Sequence, residues 1–499
     1  MHQRSLPSFP DLSAFLGHLD REGQVRCIGS PVSTHLELTE IHRRVIAQGG
    51  PVLRIGDPRS ATGEPMSMDV VTNLFGTVER VAAGLGTDRE GLSSLGHLLA
   101  WMRMPRAPRT LAEARSLLPA ARGALWSRPR LGSVCRTLND VACDLAQLPV
   151  QTCWPGDAGP LITWPVVVTR PPGSDDPGAY NLGVYRMQVL DKGRAVMRWL
   201  PMRGGAAHHR QWAAIGADMP VAVVIGADPA TLLAAVMPAP EGVAELALSG
   251  IINNRRPSLT PCRTIPLHVP ASAEIVLEGT VSPTETALEG PFGDHTGYYN
   301  APEHYPVFRL KGMRVRDDAA YLTTFTGRAP DEPAVIGEAM LEIFKPLLRQ
   351  QIAEIVDVWL PPEACSYRVA VVSIAKKYPG QARRVMMGFW SLLPQFSMTK
   401  LVIVVDDDID IRCWADVMWA VSTRLDPSRD LMTVDRTPID QLDFASPLEG
   451  LGGKLGLDAT RKIGSETARE WGQKLRMANE VERQVSQRWA ELFAADGEK

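Results

Sequence analysis

The sequence lacks the features of several large protein classes. Its 499 residues carry a net charge of −3, and like charges never gather into a block, so a nucleic-acid backbone is not an expected partner. No run approaches the roughly eighteen apolar residues that a membrane-spanning helix needs. The N-terminal residues have no apolar core behind a basic region, so we expect no secretory signal.

Cysteine is sparse as well. The seven cysteines form neither a CxxC pair nor a dense framework, and their number is odd. That pattern is typical of reduced, buried thiols in a cytoplasmic protein rather than of a disulfide scaffold. Hydrophobic residues make up 45% and charged residues 22% of the chain, which is typical of a globular protein with buried cores. A prior of roughly 150 residues per domain predicts about three domains.

The common catalytic signatures are missing too. There is no GxxxxGK[ST] phosphate loop, no GxSxG elbow and no HExxH pair. The glycine-rich stretch GLGGKLG (450–456) has neither the GxGxxG spacing nor a preceding strand. These absences exclude the commonest nucleotidases, hydrolases and zinc enzymes.

What is present divides the chain into three regions. Residues 1–134 alternate helix and strand signals and end in an Arg-, Pro- and Ala-rich connector at 101–133. Residues 135–325 hold many short β-type runs separated by turn residues, which predicts an antiparallel sheet or barrel. Residues 326–499 return to alternating apolar strands and helical patterns, which predicts a parallel sheet.

Individual elements follow from local patterns. Leu12, Phe15 and Leu19 recur at helical spacing, with Asp11 as the expected cap and Gly23 as the end. Further predicted elements are helices at 34–50, 229–251, 381–393, 416–425 and 466–495, and strands at 51–57, 368–374 and 400–408. The last helix is expected to be long and amphipathic.

The stretch EGPFGDHTGYYN (289–300) concentrates chemistry. Two acids, Glu289 and Asp294, precede a histidine in a segment that glycine and proline keep out of any helix. A solvated loop of mixed polarity is the alternative interpretation. The residues by themselves leave both interpretations open.

Three other polar positions stand out. Arg198 and Arg203 flank a β-run that ends in two glycines, and such arginines beside open backbone N–H groups suit a phosphate. Solvated arginines at a barrel edge are the alternative. Glu245 interrupts an apolar helical face, where a lone glutamate is usually solvated or paired.

The chain resembles the UbiD family of prenylated-flavin-dependent decarboxylases, and most of all its 4-hydroxy-3-polyprenylbenzoate decarboxylase branch. The similarity runs nearly from end to end. It is carried by TNLFGTVERVA (72–82), TCWPGDAGPLITWP (152–165), NLGVYR (181–186), MRWL (197–200), GADPAT (226–231), PASAEIVLEG (270–279), EGPFGDHTGYYN (289–300), TGRAPDEPAVIG (326–337), LPPEACSYR (360–368) and DFASPLEGLGGKLGLDAT (443–460).

The resemblance implies an α+β multidomain fold with an N-terminal α/β region, a central split β-barrel of flavin-reductase type and a C-terminal α/β domain. It also implies prenylated FMN, whose phosphate is held through Mn²⁺ with K⁺ nearby. The cofactor-contacting positions would be Val184, Tyr185, Arg186, Arg198, Trp199, Leu200, Arg203 and Gly204. The metal ligands would be Asn181 and Glu245, whose hard oxygen donors suit manganese.

One position departs from the family pattern. Relatives commonly have a histidine just before the Arg-Gly of the third cofactor segment, whereas this chain has Met202. A thioether is a poor partner for manganese. We therefore expect weaker metal retention, unless water, His208 or His209 fills the place.

The resemblance assigns the catalytic network to Arg186, Glu289 and Asp294. Arg186 would anchor the substrate carboxylate, because its charge is permanent and its geometry bidentate. Asp294 would be a proton donor that stays protonated near neutral pH, and Glu289 would orient both. Glycines 290, 293 and 297 would let the loop lie close under a flat ring system. We expect His295 to be a hydrogen-bonded structural residue.

The favoured function is decarboxylation of a 4-hydroxybenzoate that carries a polyprenyl chain, on the route to ubiquinone. An apolar channel and transient contact with the inner membrane surface would follow, and 385–393 either lines that channel or packs in a core. Two alternatives remain: a paralogue acting on another aromatic or α,β-unsaturated acid, which Met202 and NNRRPSLTPC (253–262) favour mildly, and a noncatalytic flavin-binding partner. The resemblance also implies a flavin prenyltransferase as cofactor supplier and a homo-oligomer, from dimer to hexamer, that the last helix helps to build.

Overall fold

The computed structural model describes residues 4–103, 125–132, 137–237, 243–392 and 394–493, with isolated positions 110, 111, 115 and 123. Most of the expected connector at 101–133 therefore lies outside the described residues. Among the helices described, none is both long enough and apolar enough to cross a bilayer. Six cysteines, all except Cys135, lie in the described part of the chain and are free thiols. The expectation that they are buried is wrong for Cys27 and Cys143, which are exposed, whereas Cys153 is buried.

The α-helices confirm most of the periodic segments. In chain order, α1 to α11 are Leu12–Arg21, Glu37–Ala47, Val78–Gly84, Leu92–Arg103, Gly204–Ala214, Pro229–Ala234, Glu245–Asn253, Glu332–Gln351, Gln381–Leu392, Trp414–Arg424 and Asn479–Leu492. Helix α1 begins where expected, since the Asp11 carboxylate accepts a hydrogen bond from the Ala14 N–H at 2.8 Å.

The strands form five sheets across the described residues. In chain order, β1 to β23 are Val25–Ile28, Val32–Ser33, Val52–Ile55, Pro58–Arg59, Val70–Thr72, Arg130–Leu131, Leu138–Val141, Leu161–Ile162, Pro165–Thr169, Asn181–Val184, Met187–Asp191, Arg194–Met197, Met219–Ile225, Ser258–Pro261, His268–Pro270, Ile275–Glu289, Glu303–Arg316, Tyr321–Leu322, Ile355–Trp359, Val369–Ile374, Leu401–Asp406, Leu431–Pro438 and Leu451–Ala459.

The central sheet carries the candidate site. Its nine strands run in the order β10-β9-β13-β16-β17-β12-β11-β8, with β7 beside β17, and they curl into a half-barrel. Every pairing in it is antiparallel, as the alternating runs predicted. Its longest hairpin, β16–β17, pairs Glu289 with Glu303 at the end that leads into the 289–300 loop.

The flanking sheets confirm the predicted fold class. The N-terminal sheet has the order β1-β3-β5-β18, so it takes its edge strand, Tyr321–Leu322, from just before the C-terminal region. The C-terminal sheet has the order β19-β20-β21-β23-β22, with a parallel centre and antiparallel edges. Two smaller sheets, β15-β14-β6 and β2-β4, complete the set. The boundaries after residues 134 and 325 stay predictions.

The last helix is shorter than predicted, and the structure decides between the two interpretations of segment 385–393. The helix expected at 466–495 is wrong for its first half, because only Asn479–Leu492 is helical and Lys474 instead reaches Asp408 at 3.2 Å. The segment 385–393 packs in the core over its described part, where Val385, Met386 and Phe389 are fully buried. Leu393 lies outside the described residues.

Helix α8 ties the C-terminal half of the chain to the N-terminal region. It begins at Glu332, whose carboxylate accepts a hydrogen bond from the Phe75 N–H at 2.6 Å. Further along, α8 packs so closely on α4 that a Cβ added at Gly96 would lie 2.1 Å from the backbone oxygen of Ile343. Only glycine permits this contact between the two helices.

This contact predicts opposite effects for two glycine-to-alanine changes. Gly96→Ala should destabilise the protein by about 1–3 kcal/mol, because the helices must move apart. Gly337→Ala, in α8 with open space around its Cβ position, should stabilise by about 0.5–1 kcal/mol through helix propensity. Urea denaturation followed by circular dichroism measures both. Equal midpoints for the two variants would contradict the close packing of α4 on α8.

Candidate active site

The 289–300 loop is held in a defined conformation. Glu289 ends strand β16, and the loop closes on itself through hydrogen bonds from the Asn300 N–H to Phe292 O at 3.0 Å and from the Asp294 N–H to Tyr298 O at 3.0 Å. The Gly290 N–H also donates to the Gln188 side chain at 2.9 Å. The solvated-loop interpretation is therefore wrong, since Glu289 and Asp294 are both buried.

The glycines of the loop serve conformation and packing. Gly290 and Gly297 have φ angles of +88° and +79°, a region that residues with a Cβ rarely adopt. Gly293 instead makes room for a neighbouring ring, because a Cβ there would lie 2.2 Å from the Trp154 indole. Packing against Trp154 therefore requires glycine at position 293, which also lines the cavity beside Arg186.

Arg186 and Arg198 reach this loop from neighbouring strands. Arg186 lies between β10 and β11, and Arg198 directly follows β12. The Arg198 N–H donates to the Arg186 carbonyl oxygen at 3.3 Å. Because β11 and β12 are antiparallel, this pairing sets the two residues side by side at one end of these strands.

The Arg186 guanidinium binds both acids. Nε donates to Glu289 Oε1 at 2.8 Å, Nη1 donates to Asp294 Oδ2 at 2.8 Å, and Nη2 donates to Asn300 Oδ1 at 2.8 Å. Glu289 is fully buried, and only 15% of the Arg186 side chain is exposed. The three residues expected from the sequence thus meet at one point.

Arg198 also contacts the acid network. Its Nη1 donates to Glu289 Oε2 at 3.2 Å, and its guanidinium lies 5.6 Å from the Tyr305 ring. Its part in cofactor binding stays a prediction. Two cations share the Glu289 carboxylate.

The expected neutral acid is not found at Asp294. Burial by itself would raise its pKa, but the hydrogen bonds from His295 and the charge of Arg186 hold that pKa well below its usual range. Asp294 Oδ1 accepts from both the backbone N–H and Nδ1 of His295, each at 2.8 Å. In this state of the site, Asp294 is ionised.

His295 holds the proton instead. Burial would lower its pKa, but Asp294 on one side and Asp440 on the other raise that pKa to about 9. Its Nε2 lies 3.3 Å from Asp440 Oδ2, and Asp440 also binds Tyr367 and Arg368. His295 is hydrogen bonded, as expected, but its partner is the carboxylate assigned to proton transfer.

A second group of residues gathers at the N-terminus of α5. Asn181 Nδ2 and the Gly205 N–H both donate to the Tyr185 hydroxyl at 3.3 Å, and a Cβ at Gly204 would lie 1.9 Å from Asn181 Oδ1. Glu245 joins them, because its carboxylate accepts from the Leu182 N–H at 3.1 Å. Open N–H groups at a helix N-terminus favour an anion such as a phosphate.

The described residues contain no group of three or more His, Cys, Asp or Glu side chains that could hold a metal ion, so Asn181 and Glu245 would need a bound phosphate to complete a metal site. Burial raises the pKa of Glu245. Arg203, at the cap of α5, is exposed. A carboxylate and an amide oxygen beside it are the donors that Mn²⁺ prefers.

The remaining predicted cofactor positions line the same region. Tyr185 and Trp199 are buried with ring centroids 6.4 Å apart, and Val184 and Leu200 are half-buried. The Trp199 indole N–H is buried and, among the described residues, has no hydrogen-bond acceptor. It is a donor available to a ligand.

The departure at Met202 leaves the metal group short of a nitrogen donor. The Met202 side chain is 85% exposed. His208 Nδ1 lies 2.9 Å from the Thr169 hydroxyl, and His209 Nε2 lies 3.0 Å from Ser282 O. Thr169 pairs with Asn181 across the sheet, so His208 lies near the predicted ligand, and the replacement of the missing donor stays a prediction.

Sequence reasoning missed several members of the site. Asn300 could have been found, since it ends the same quoted stretch, and Gln188 follows Arg186 by two positions. Asp157, in another matched block, receives the Gly293 N–H at 3.0 Å. Asp440 gave no sequence signal, because it lies in a distant region that only the fold brings to His295.

A small cavity of about 30 Å³ lies beside Arg186. It is lined by Cys153, Asp157, Leu161, Thr163, Arg186, Gly293 and Thr326. The Arg186 cation therefore reaches this cavity beside one carboxylate and two threonine hydroxyls, and such a cation can bind an anionic group.

Solved structures of other proteins share this fold. HmfF from Pelotomaculum thermopropionicum, a UbiD-class enzyme in complex with FMN, is 28% identical over 93% of this chain and 97% of its own, with a TM-score of 0.76. An evolved dimeric form of HmfF in complex with prFMN is 26% identical over 95% and 98%, with a TM-score of 0.74. Vanillic acid decarboxylase from Sedimentibacter hydroxybenzoicus is 23% identical over 97% and 99%, with a TM-score of 0.79.

Three sequence profiles of one family match successive parts of the chain. They describe the N-terminal, Rift-related and C-terminal domains of 3-octaprenyl-4-hydroxybenzoate carboxy-lyase, and they match residues 16–99, 130–329 and 334–459. Together they cover most of the sequence in the order of the three regions. The chain belongs to the UbiD family of prenylated-FMN-dependent carboxy-lyases.

Proposed function

We propose that this carboxy-lyase removes CO2 from 4-hydroxy-3-polyprenylbenzoate without oxidation and forms 2-polyprenylphenol in ubiquinone biosynthesis. The observation that carries decarboxylation is the meeting of Arg186, Glu289 and Asp294 beside a small cavity that Arg186 lines. A noncatalytic flavin-binding protein would have no use for a buried guanidinium held between two acids.

Arg186 binds the substrate carboxylate. Its side chain lines the cavity, and Asp294 contacts it through a single hydrogen bond, so a carboxylate can approach the same guanidinium. Arg198 keeps Glu289 oriented while that exchange takes place. The two arginines thereby orient the carbon–carbon bond that breaks when CO2 leaves.

Asp294 delivers the proton to the carbon that loses CO2. An incoming carboxylate adds negative charge beside Asp294 and Glu289, which favours proton uptake by one of them. Asp294 is the better donor because it is near the loop surface, whereas Glu289 is fully buried between the two arginines. The donor is thus neutral only when the substrate is bound.

The group at α5 would hold the cofactor phosphate. Arg203 and the α5 N-terminus would contact the phosphate, and Asn181 and Glu245 would bind Mn²⁺, with K⁺ nearby. When bound, prenylated FMN supplies the electron sink for the carbon that loses CO2. A flavin prenyltransferase would supply it.

An apolar rim supports a substrate with a large apolar substituent. Tyr298 stacks edge-on against Phe444, with ring centroids 6.0 Å apart, and Leu448 lies four residues on in the same loop as Phe444. All three side chains are more than half exposed, although Asp294 donates its backbone N–H to Tyr298. Such a rim beside the proton donor suits a polyprenyl chain.

The proposed homo-oligomer would form through the exposed C-terminal helix, α11. Along α11 the apolar residues Val481, Val485 and Trp489 recur at helical spacing and are exposed. A second copy of this chain would cover them, from dimer to hexamer. A cytoplasmic location follows from the cysteine pattern, and contact with the inner membrane surface would follow only from a polyprenyl substrate.

Substrate choice is tested with holoprotein from co-expression with a flavin prenyltransferase. We expect the flavin absorbance to change and CO2 to be released from 4-hydroxy-3-polyprenylbenzoate. Phe444→Ser should raise KM for that acid several-fold but leave KM for untailed 4-hydroxybenzoate unchanged. Preference for cinnamate-type acids would favour the paralogue, and no release from any acid would reject catalysis.

Asp294→Asn should bind cofactor but lose turnover by about 10²–10⁴-fold, because acid–base groups contribute that much. Flavin absorbance measures binding, and CO2 release measures turnover. Asp435→Asn, an exposed carboxylate on β22, is the matched control and should behave as wild type. A variant keeping more than about a tenth of wild-type turnover would remove Asp294 from this role.

Met202 should limit metal retention. After dialysis against a chelator, the wild-type protein should lose Mn²⁺, whereas Met202→His should retain more of it because imidazole is a better ligand. Met202→Leu controls for the loss of methionine. Elemental analysis that finds a full, tightly held manganese complement in the wild-type protein would contradict this expectation.

A further inference from the structure

His295 joins two regions that are far apart in the sequence. Its Nδ1 contacts Asp294 Oδ1 at 2.8 Å, and its Nε2 lies 3.3 Å from Asp440 Oδ2. Asp294 belongs to the central hairpin loop, whereas Asp440 follows strand β22 of the C-terminal sheet. Nδ1 is hydrogen bonded to Asp294, whereas Nε2 lies within ion-pair distance of Asp440 without forming a hydrogen bond. Two carboxylates beside one imidazole favour its protonated, charged form.

The groups around this pair keep each carboxylate charged. Tyr367 donates its hydroxyl to Asp440 Oδ2 at 3.2 Å, and Arg368 lies 3.1 Å from the same oxygen. On the other side, Arg186 donates to Asp294. Asp331, the N-cap of α8, interacts electrostatically with both His295 and Asp294. Burial raises the pKa of Asp331 to about 6.

We propose that His295 is a positioning residue that stores the proton used by Asp294, and that Asp440 of the C-terminal region holds that proton in place. The proposal rests on the proposed function, since it deepens the role of Asp294. The three side chains form a line from the C-terminal region to the active-site loop, and each is largely buried: exposed fractions are 12%, 20% and 11% for Asp294, His295 and Asp440.

The proton follows a balanced path. Arrival of the substrate carboxylate beside Arg186 disfavours a charged Asp294, so the Nδ1 proton of His295 moves to Asp294 Oδ1. Asp294 then gives that proton to the carbon from which CO2 has left. The neutral imidazole regains a proton from solvent through Asp294, because Nε2 itself is buried, and the starting state returns. One proton enters from solvent and one leaves in the product.

The supply of a proton to Asp294 therefore depends on Asp440, which belongs to the C-terminal region. Without Asp440, the imidazolium would keep only one carboxylate partner and would lose its proton at a lower pH. The rate should therefore fall on the alkaline side when His295 deprotonates, near pH 9 in the wild type. Removal of Asp440 should move that fall toward neutral pH.

The test compares Asp440→Asn, His295→Gln and a matched control, Asp443→Asn. Asp443 also contacts Arg368, at 3.4 Å, and lies in the same loop, but it forms no ion pair with His295. Two readouts are taken: the pH profile of kcat for holoenzyme with 4-hydroxy-3-prenylbenzoate, and the titration of His295 in protein labelled with [13Cε1]histidine. Among the ten histidines, the His295 signal is the one lost in His295→Gln.

We expect Asp440→Asn to lower both the NMR midpoint of His295 and the alkaline limb of kcat by about one pH unit or more. Asp443→Asn should match the wild type in both, and His295→Gln should lose the limb. An unmoved limb in Asp440→Asn overturns the proposal, whether or not the NMR midpoint moves. A wild-type holoenzyme that releases no CO2 would instead reject the proposed function, and the NMR titration would then report on the pairing by itself.

Discussion

A guanidinium shared between two buried acids determines the geometry of the site. Arg186 donates hydrogen bonds to Glu289, Asp294 and Asn300. One side chain therefore fixes the beginning, the middle and the end of the 289–300 loop. Removing one partner of such a buried ion pair typically costs about 3–5 kcal/mol, because the other charge is left without compensation. The arrangement persists only while the network is complete.

The network pairs cations with carboxylates. Arg186, Arg198, His295 and Arg368 contact Glu289, Asp294 and Asp440. An incoming carboxylate adds one negative charge beside Arg186, which favours a proton shift onto an acid. The substrate itself would then prepare the proton donor. This explains why an acid that is ionised in the free site can still serve in proton transfer.

The fold supplies the two halves of the site by different means. Antiparallel pairing alone sets Arg186 beside Arg198, and the β16–β17 hairpin presents Glu289. Asp440 arrives through the C-terminal sheet, whose place is fixed in part by α8 and its close packing on α4. Local pairing therefore builds the carboxylate-binding half, and the contact between regions completes the proton-holding half.

The sequence alone determined the elements and the identity of the main site residues. Periodicity located α1 and the strands around 368–374 and 400–408, since side chains at a spacing of 3.6 or 2 mark a buried face wherever the chain goes. The resemblance to the UbiD family singled out Arg186, Glu289 and Asp294. Periodicity overestimated the last helix, because the amphipathic pattern of 466–495 continues through a segment that tertiary contacts such as Lys474 with Asp408 hold in another conformation.

Only the tertiary structure decided the charges and the partners. Sequence spacing cannot report a pKa, which depends on burial and on neighbours brought from elsewhere in the chain. Hence the neutral Asp294 expected from two nearby acids is ionised, Arg198 contacts Glu289, and His295 is paired with Asp440 from another sheet. Residue types fix which chemistry is available, whereas long-range contacts fix which atom carries the proton.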